Sequence, residues 1–284
     1  MSISRRIAGA LLDFADSHRA LRECISLPKR VQKRRMEIRE WAEKEARPLI
    51  DRIDAASHNE VDLKWELIRI GAKKGLLTMM LPTGVGGKGH LTDFIRYGNF
   101  HLMAFCEELG AVSPGLGTLF GAHYLGAGPI MFSMDLLLGR RLFKPIVEAE
   151  NTDRPKLCAF AITEPGAGSD VEDTEGGEKA HLVTFAKKVS GGYVLNGRKQ
   201  FISNGSLASL ITVFACLDRE KGIHAWTCFA VTPDMKGFSV GRIEDKMGHR
   251  ISPASELVFE DVFVPEENLV GRENDGWKLN TLTL

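Results

Sequence analysis

The chain is 284 residues long, 44% hydrophobic and 26% charged, which allows one large domain or two ordinary ones with a sizeable core. Lys plus Arg and Asp plus Glu balance at 37 each, so net charge gives no reason to expect a nucleic acid or an acidic membrane surface as partner. The five cysteines, Cys24, Cys106, Cys158, Cys216 and Cys228, are widely spaced without a C-x-x-C, which argues against a disulfide framework or a zinc site and for a reducing compartment.

No apolar run approaches the roughly 18 residues that span a bilayer. Near the N-terminus, Arg5, Arg6, Arg19 and Arg22 alternate with Ala8, Leu11, Leu12 and Ala15, as in a transit peptide. Asp13, Asp16 and Glu23 favour an extra surface helix over a targeting segment, because transit peptides are poor in acids. A cytoplasmic location is therefore expected ahead of the mitochondrial matrix. Residues 28–54 carry Val31, Met36, Ile38, Trp41, Leu49 and Ile50 at near-helical spacing and read as one long amphipathic helix bent near Pro48. The basic run Lys29 to Arg35 reads as a solvated face of it.

A second helix is expected at 63–74, ending at Gly75. The glycine-rich stretch 81–89 fails the phosphate-loop pattern, because Lys88 is followed by Gly89 rather than Ser or Thr, and reads as a tight loop. Further helices are expected at 100–109 with Gly110 as C-cap, at 116–132 as a buried helix, and at 136–148 as an amphipathic one. Residues 149–155 form a polar linker. Helices followed by strands imply an α domain and then a β domain.

An apolar run from Cys158 breaks at Pro165 into Gly166-Ala167-Gly168-Ser169, a loop with little side-chain bulk and many backbone N–H groups, suited to an anion or an electron-rich ring edge. Residues 171–180 are acidic and glycine-rich and read as an exposed insertion. Strands are expected at 182–186, 193–195, 198–202, 210–215, 226–232, 238–243 and 255–262, with Asn196-Gly197 as a type I′ hairpin turn. Turn signals at Pro233-Asp234 and Lys236-Gly237 fit a small sandwich or barrel.

Three stretches in order, T-E-P-G-A-G-S-D at 163–170, N-G-R-K-Q-F-I-S-N-G at 196–205 and E-L-V-F-E-D-V-F-V-P at 256–265, resemble the signature motifs of the acyl-CoA dehydrogenase family. The loop at 81–89 is also similar to a family loop that walls the substrate channel. The resemblance implies an α+β fold: an N-terminal α-helical domain (1–157), a middle β-barrel-like domain (158–272) and a stub of a C-terminal helical bundle (273–284). It implies FAD as cofactor and an acyl-CoA as substrate, oxidised by α-proton abstraction with β-hydride transfer to flavin N5. It further implies fatty acid metabolism, an electron-transfer flavoprotein as acceptor and a homo-oligomer.

By the same resemblance Phe160, Ile162, Thr163, Gly168, Ser169, Phe201, Ile202 and Ser203 hold the flavin, with Phe201 over the ring and Ser203 toward N5. Ser169, Ser252 and Ser255 are the corresponding substrate contacts. In the family the catalytic carboxylate lies in the third domain, so no catalytic residue and no metal ligand is assigned. Glu164 belongs to the strand-to-loop corner, and His249 reads as a satisfied polar residue rather than a general base. Two other readings stay open: a non-catalytic short subunit of a flavoprotein complex, and a flavin oxidase or monooxygenase of the same fold. The intact T-E-P run favours the dehydrogenase.

Overall fold

A computed structural model describes residues 27–168 and 182–284, with the backbone alone for 91–96. Helix α1 (Lys29–Trp41) buries Val31, Ile38 and Trp41, positions that share one face at the helical period. It runs through a wide π turn, Ala42–Ala46, into α2 (Arg47–Ala55). Pro48 explains the turn, since it offers no N–H to the preceding turn and its ring displaces the carbonyl there, so the regular ladder cannot continue. The expected bend takes this form. Helix α3 (Lys64–Lys74) ends where predicted, on Gly75 at φ 90°, with the amides of Gly75 and Leu76 returning to the carbonyls of Ala72 and Gly71.

Helix α4 (Leu91–Val112) is longer than expected and contains Gly110 rather than ending on it. Ser113, extended at φ −159°, separates it from α5 (Pro114–Phe132). Gly110 does not cap the helix, and a Cβ on it would meet nothing within 4 Å among the described residues; the close approach is made by Gly117 of α5, where a Cβ would stand 3.4 Å from Gly110 N. Helix α6 (Leu136–Ala149) starts on Asp135, whose Oδ1 accepts from the amides of Leu137 and Leu138 at 3.0 and 2.9 Å.

The second half is one mixed sheet of β1 (Leu157–Ala161), β2 (Phe185–Val189), β3 (Gly192–Ser203), β4 (Ala208–Cys216), β5 (Trp226–Val231), β6 (Phe238–Ile243), β7 (Ala254–Pro265) and β8 (Leu269–Val270). The strand order is β6-β7-β3-β2-β4-β5-β8, with β1 parallel to β4. Alternation assigns the faces. Phe160, Ile162, Phe214 and Cys228 join the core shared with the helices, while Ala159, Ala161, Val213 and Phe229 join a second core with Tyr193, Leu195 and Phe259. Both faces are buried, which is why β1 is apolar throughout and β4 and β5 are mostly so. Helix α7 (Gly276–Thr283) follows.

Two strand expectations are corrected. Asn196-Gly197 is no hairpin turn: β3 runs unbroken through it, and the β2–β3 reversal lies at Ser190-Gly191. Gly197 is needed for close approach, since a Cβ there would stand 2.6 Å from Thr184 Cα, and Asn196 exchanges two 2.9 Å hydrogen bonds with Asp261 across the β3–β7 ladder. The strand expected at 182–186 begins at Phe185, because the amides of Val183 and Thr184 go to a carboxylate instead of a neighbouring strand. The expected N-terminal helix, Ser169 and the acidic stretch 171–180 lie outside the described residues.

Helix α5 is the seam between the halves. A Cβ on Gly126 would stand 2.6 Å from the Ala159 backbone, and Thr212 Oγ1 donates to Gly126 O at 3.1 Å. His123, fully buried, accepts from Cys158 N at Nδ1 (3.0 Å) and donates from Nε2 to Leu77 O (2.9 Å). One donating and one accepting nitrogen make it the neutral tautomer, and burial pushes its pKa down to about 4. Among the described residues no helix is long and apolar enough to cross a membrane.

Candidate functional site

Where β1 ends, the chain turns through Ile162, Thr163 and Glu164 and meets the distal part of β3. Glu164 is buried, and its backbone closes the glycine loop by exchanging hydrogen bonds with Ala167 at 2.9 and 3.2 Å. Its carboxylate accepts from Val183 N (2.6 Å), Thr184 N (3.0 Å) and the ammonium of Lys199 (2.7 Å). Lys199 has no solvent exposure and also donates to Ile162 O at 2.8 Å. Burial lowers its pKa to about 8, with Glu164 opposing the shift, so the Lys199 side chain stays protonated at neutral pH. Glu164 is thus a structural carboxylate, as its motif position implied.

Tyr193, Leu195 and Lys199 share the inward face of β3. Strict alternation would bury Phe201 as well. The β3–β7 register instead shifts between Lys199 and Ile202, a bulge that turns Ile202 inward and Phe201 outward. Phe201 is 56% exposed at φ 60°. A bulky residue in the left-handed region costs about 1–3 kcal/mol, and the exposed ring forgoes roughly another 1.5–3 kcal/mol of burial. Neither feature helps folding, so both point to a ligand.

Beside the ring, Gln200 N donates to Thr163 O at 2.9 Å, which brings Thr163 and Ser203 to the same corner. Both are half-buried, and among the described residues neither hydroxyl is hydrogen-bonded. Among the described residues nothing lies within 4 Å of a Cβ built on Gly166 or Gly168. An exposed aromatic face, two available hydroxyls and a loop of small residues suit an isoalloxazine ring, which needs a flat apolar wall and donors along its polar edge.

The remaining assigned residues are less exposed. Phe160 and Ile162 lie in the shared core, Phe160 against Phe214 at 5.0 Å, and Ile202 is buried in the second core. Ser252 and Ser255 are fully buried, with hydroxyls that have no hydrogen-bond partner among the described residues. His249, at φ 54°, sits 2.9 Å from Thr118 Oγ1. Thr118 gives its one hydroxyl proton to Pro114 O, so His249 Nδ1 is the donor and the residue is a satisfied polar contact. Arg250 anchors the same loop on the end of α2 through Asp54 O (2.9 Å) and Ala56 O (3.0 Å).

Motif reading passed over Lys199. The signal was present: an ionisable residue in phase with Tyr193 and Leu195 along β3 must find a buried partner. Elsewhere, a cavity of about 650 Å³ opens between α4, α5 and the end of α7, lined by residues such as Leu102, Cys106, Tyr124 and Met131 and by none of the corner residues. Among the described residues no group of three or more His, Cys, Asp or Glu could hold a metal ion.

The family models for the acyl-CoA dehydrogenase N-terminal and middle domains match residues 29–134 and 159–262. A relative from Clostridium acetobutylicum described as a short-chain-specific acyl-CoA dehydrogenase is 32% identical over 251 residues, 88% of this chain and 60% of the relative. The structure of butyryl-CoA dehydrogenase from Megasphaera elsdenii is similar with a TM-score of 0.73 and 31% identity, over 91% of this chain and 63% of that one. An acyl-CoA dehydrogenase complexed with FAD from Bacillus anthracis is similar with a TM-score of 0.73 and 27% identity, over 90% of this chain and 40% of that one. The chain thus spans less than two thirds of each of these proteins. With both domain models matched in order on a helical half followed by a mixed sheet, the chain belongs to the acyl-CoA dehydrogenase family.

Proposed function

We propose that the corner formed by Thr163, the 164–168 loop and the Phe201 bulge holds FAD, and that the chain serves the FAD-dependent α,β-dehydrogenation of an acyl-CoA thioester. The observation that carries this reading is Phe201, exposed at φ 60° beside the unbonded hydroxyls of Thr163 and Ser203. Phe201 would cover the ring, and the Thr163 and Ser203 hydroxyls would donate to its polar edge. Gly168 and Ser169 would lie toward the pyrophosphate and the acyl-CoA. When bound, FAD supplies the two-electron acceptor that this oxidation requires.

The chain's own residues exclude water on the inner side of the corner and hold its donors in place. Glu164 is committed to three donors, and among the described residues the corner shows no other carboxylate for the α-proton. We therefore assign no base among the described residues. Ser252 and Ser255 remain candidates for substrate contact only if the ligand reaches the interior where they lie. The division at 157 and 272, a cytoplasmic location, a homo-oligomer, a role in fatty acid metabolism and an electron-transfer flavoprotein as acceptor belong to the same proposal.

The test is an anaerobic visible-absorption titration of the chain, first with FAD and then with saturated acyl-CoAs. A bound flavin band that one acyl-CoA bleaches is the expected result. A chain that binds no FAD sinks the reading. Bound flavin that no acyl-CoA bleaches favours a non-catalytic subunit, and rapid reoxidation with hydrogen peroxide release favours an oxidase.

A further inference from the structure

Lys199 touches both sides of the corner. From a side chain with no exposure its ammonium reaches Ile162 O at 2.8 Å and Glu164 Oε1 at 2.7 Å. The next residue on β3, Gln200, gives its amide to Thr163 O at 2.9 Å, and Phe201 follows with its left-handed φ. Stability does not explain the pair, because well-packed apolar residues of similar volume commonly do as well as a buried ion pair or better. What apolar side chains lack is direction. A cation that bonds a carbonyl and a carboxylate two residues apart sets the height of one segment against the other.

Resting on the flavin reading above, we propose that Lys199 is a positioning residue: held by Glu164, it fixes segment 162–164 against 199–203, so that the Thr163 hydroxyl, the Phe201 ring and the Ser203 hydroxyl meet a flavin as one surface. Lys199 itself touches no ligand. Its action runs through the carbonyl of Ile162 and through the bulge that begins beside it. The role of Glu164 is to keep the ammonium in place and to bring residues 183 and 184 to the same anchor.

The test compares Lys199→Met with the charge-free double variant Glu164→Gln/Lys199→Met, in the full chain. Two readouts are taken: amide hydrogen exchange without cofactor, and FAD affinity by visible absorption. The single variant leaves an unpaired buried carboxylate and is liable to unfold, whereas the double variant removes the charge as well as the tie. In the double variant the Gln200 amide is expected to exchange roughly 10- to 100-fold faster, the loss of one charged hydrogen bond, with the β4–β5 ladder unchanged. FAD affinity is expected to fall by a similar factor, about 10- to 100-fold. Wild-type protection at Gln200 in the double variant overturns the proposal, as does unchanged FAD affinity once protection is lost. A wild-type chain that binds no FAD overturns the flavin reading and the cofactor half of this proposal with it, while exchange still decides whether Lys199 ties the two segments.

Discussion

Two buried glutamates, one in each half of the molecule, do the same job under different conditions. Glu150, at the end of the helical half, accepts from Thr78 N (2.9 Å), Thr78 Oγ1 (2.7 Å) and Lys88 (2.5 Å), and so closes the glycine-rich loop that precedes α4. The Glu164 carboxylate, at the root of the glycine loop of the sheet, accepts from Val183 N, Thr184 N and Lys199. Each carboxylate has two donors besides its lysine. The cations differ: Lys88 is 54% exposed and Lys199 has no exposure. Water can replace the first and not the second, so only the second pair holds its geometry by necessity. The corner proposed to hold FAD is built on the pair that solvent cannot loosen.

The strongest challenge to this contrast is to remove each lysine. Lys199→Met should cost about 3–5 kcal/mol in denaturant unfolding, because it strands a carboxylate in the interior. Lys88→Met should cost about 1 kcal/mol, since water reaches the vacated position. Equal costs would mean that burial does not distinguish the two clamps.

His123 tests the interior by pH rather than by deletion. Its pKa is about 4 in the fold, against about 6.5 in the unfolded chain. As pH falls from 6.5, the unfolded state takes up a proton that the fold refuses, so stability declines until the folded group titrates. About 3 kcal/mol should be lost between pH 6.5 and 4, and His123→Gln should flatten that slope. An unchanged slope would show that another group controls it.

Phe201→Gly removes an exposed ring from a left-handed position and should leave stability unchanged or raise it by up to about 1 kcal/mol, while weakening FAD binding. Loss of stability would make Phe201 a folding residue. The smallest effect is expected where both partners meet solvent: Lys44→Ala breaks the pair with Glu40 (2.7 Å) and should leave the unfolding midpoint in place.

Much of the fold was legible because it rests on local rules. Gly75 stops α3 because a left-handed position was needed, Asp135 starts α6 through its carboxylate, and the apolar run of β1 and the largely apolar run of β4 mark them as strands. Local rules misled at Gly110, which lies inside α4, and at Asn196-Gly197, where the glycine admits the Thr184 backbone rather than ending an element. A turn signal and a packing signal look alike in one dimension. At the site, the motifs marked Thr163, Phe201 and Ser203, but not that Phe201 lies outside the alternation of its own strand.

The sequence by itself determined the order of helices and strands, which follows from periodicity and residue chemistry along the chain, while the segments of the corner were marked by the motif resemblance. Only the tertiary structure decided that Lys199 and Glu164 are partners, that the β3–β7 bulge turns Phe201 out and Ile202 in, and that α5 lies close enough to β1 to need Gly126. The reason is distance in sequence: each depends on residues tens of positions apart meeting in space, where burial and not local preference sets the energy.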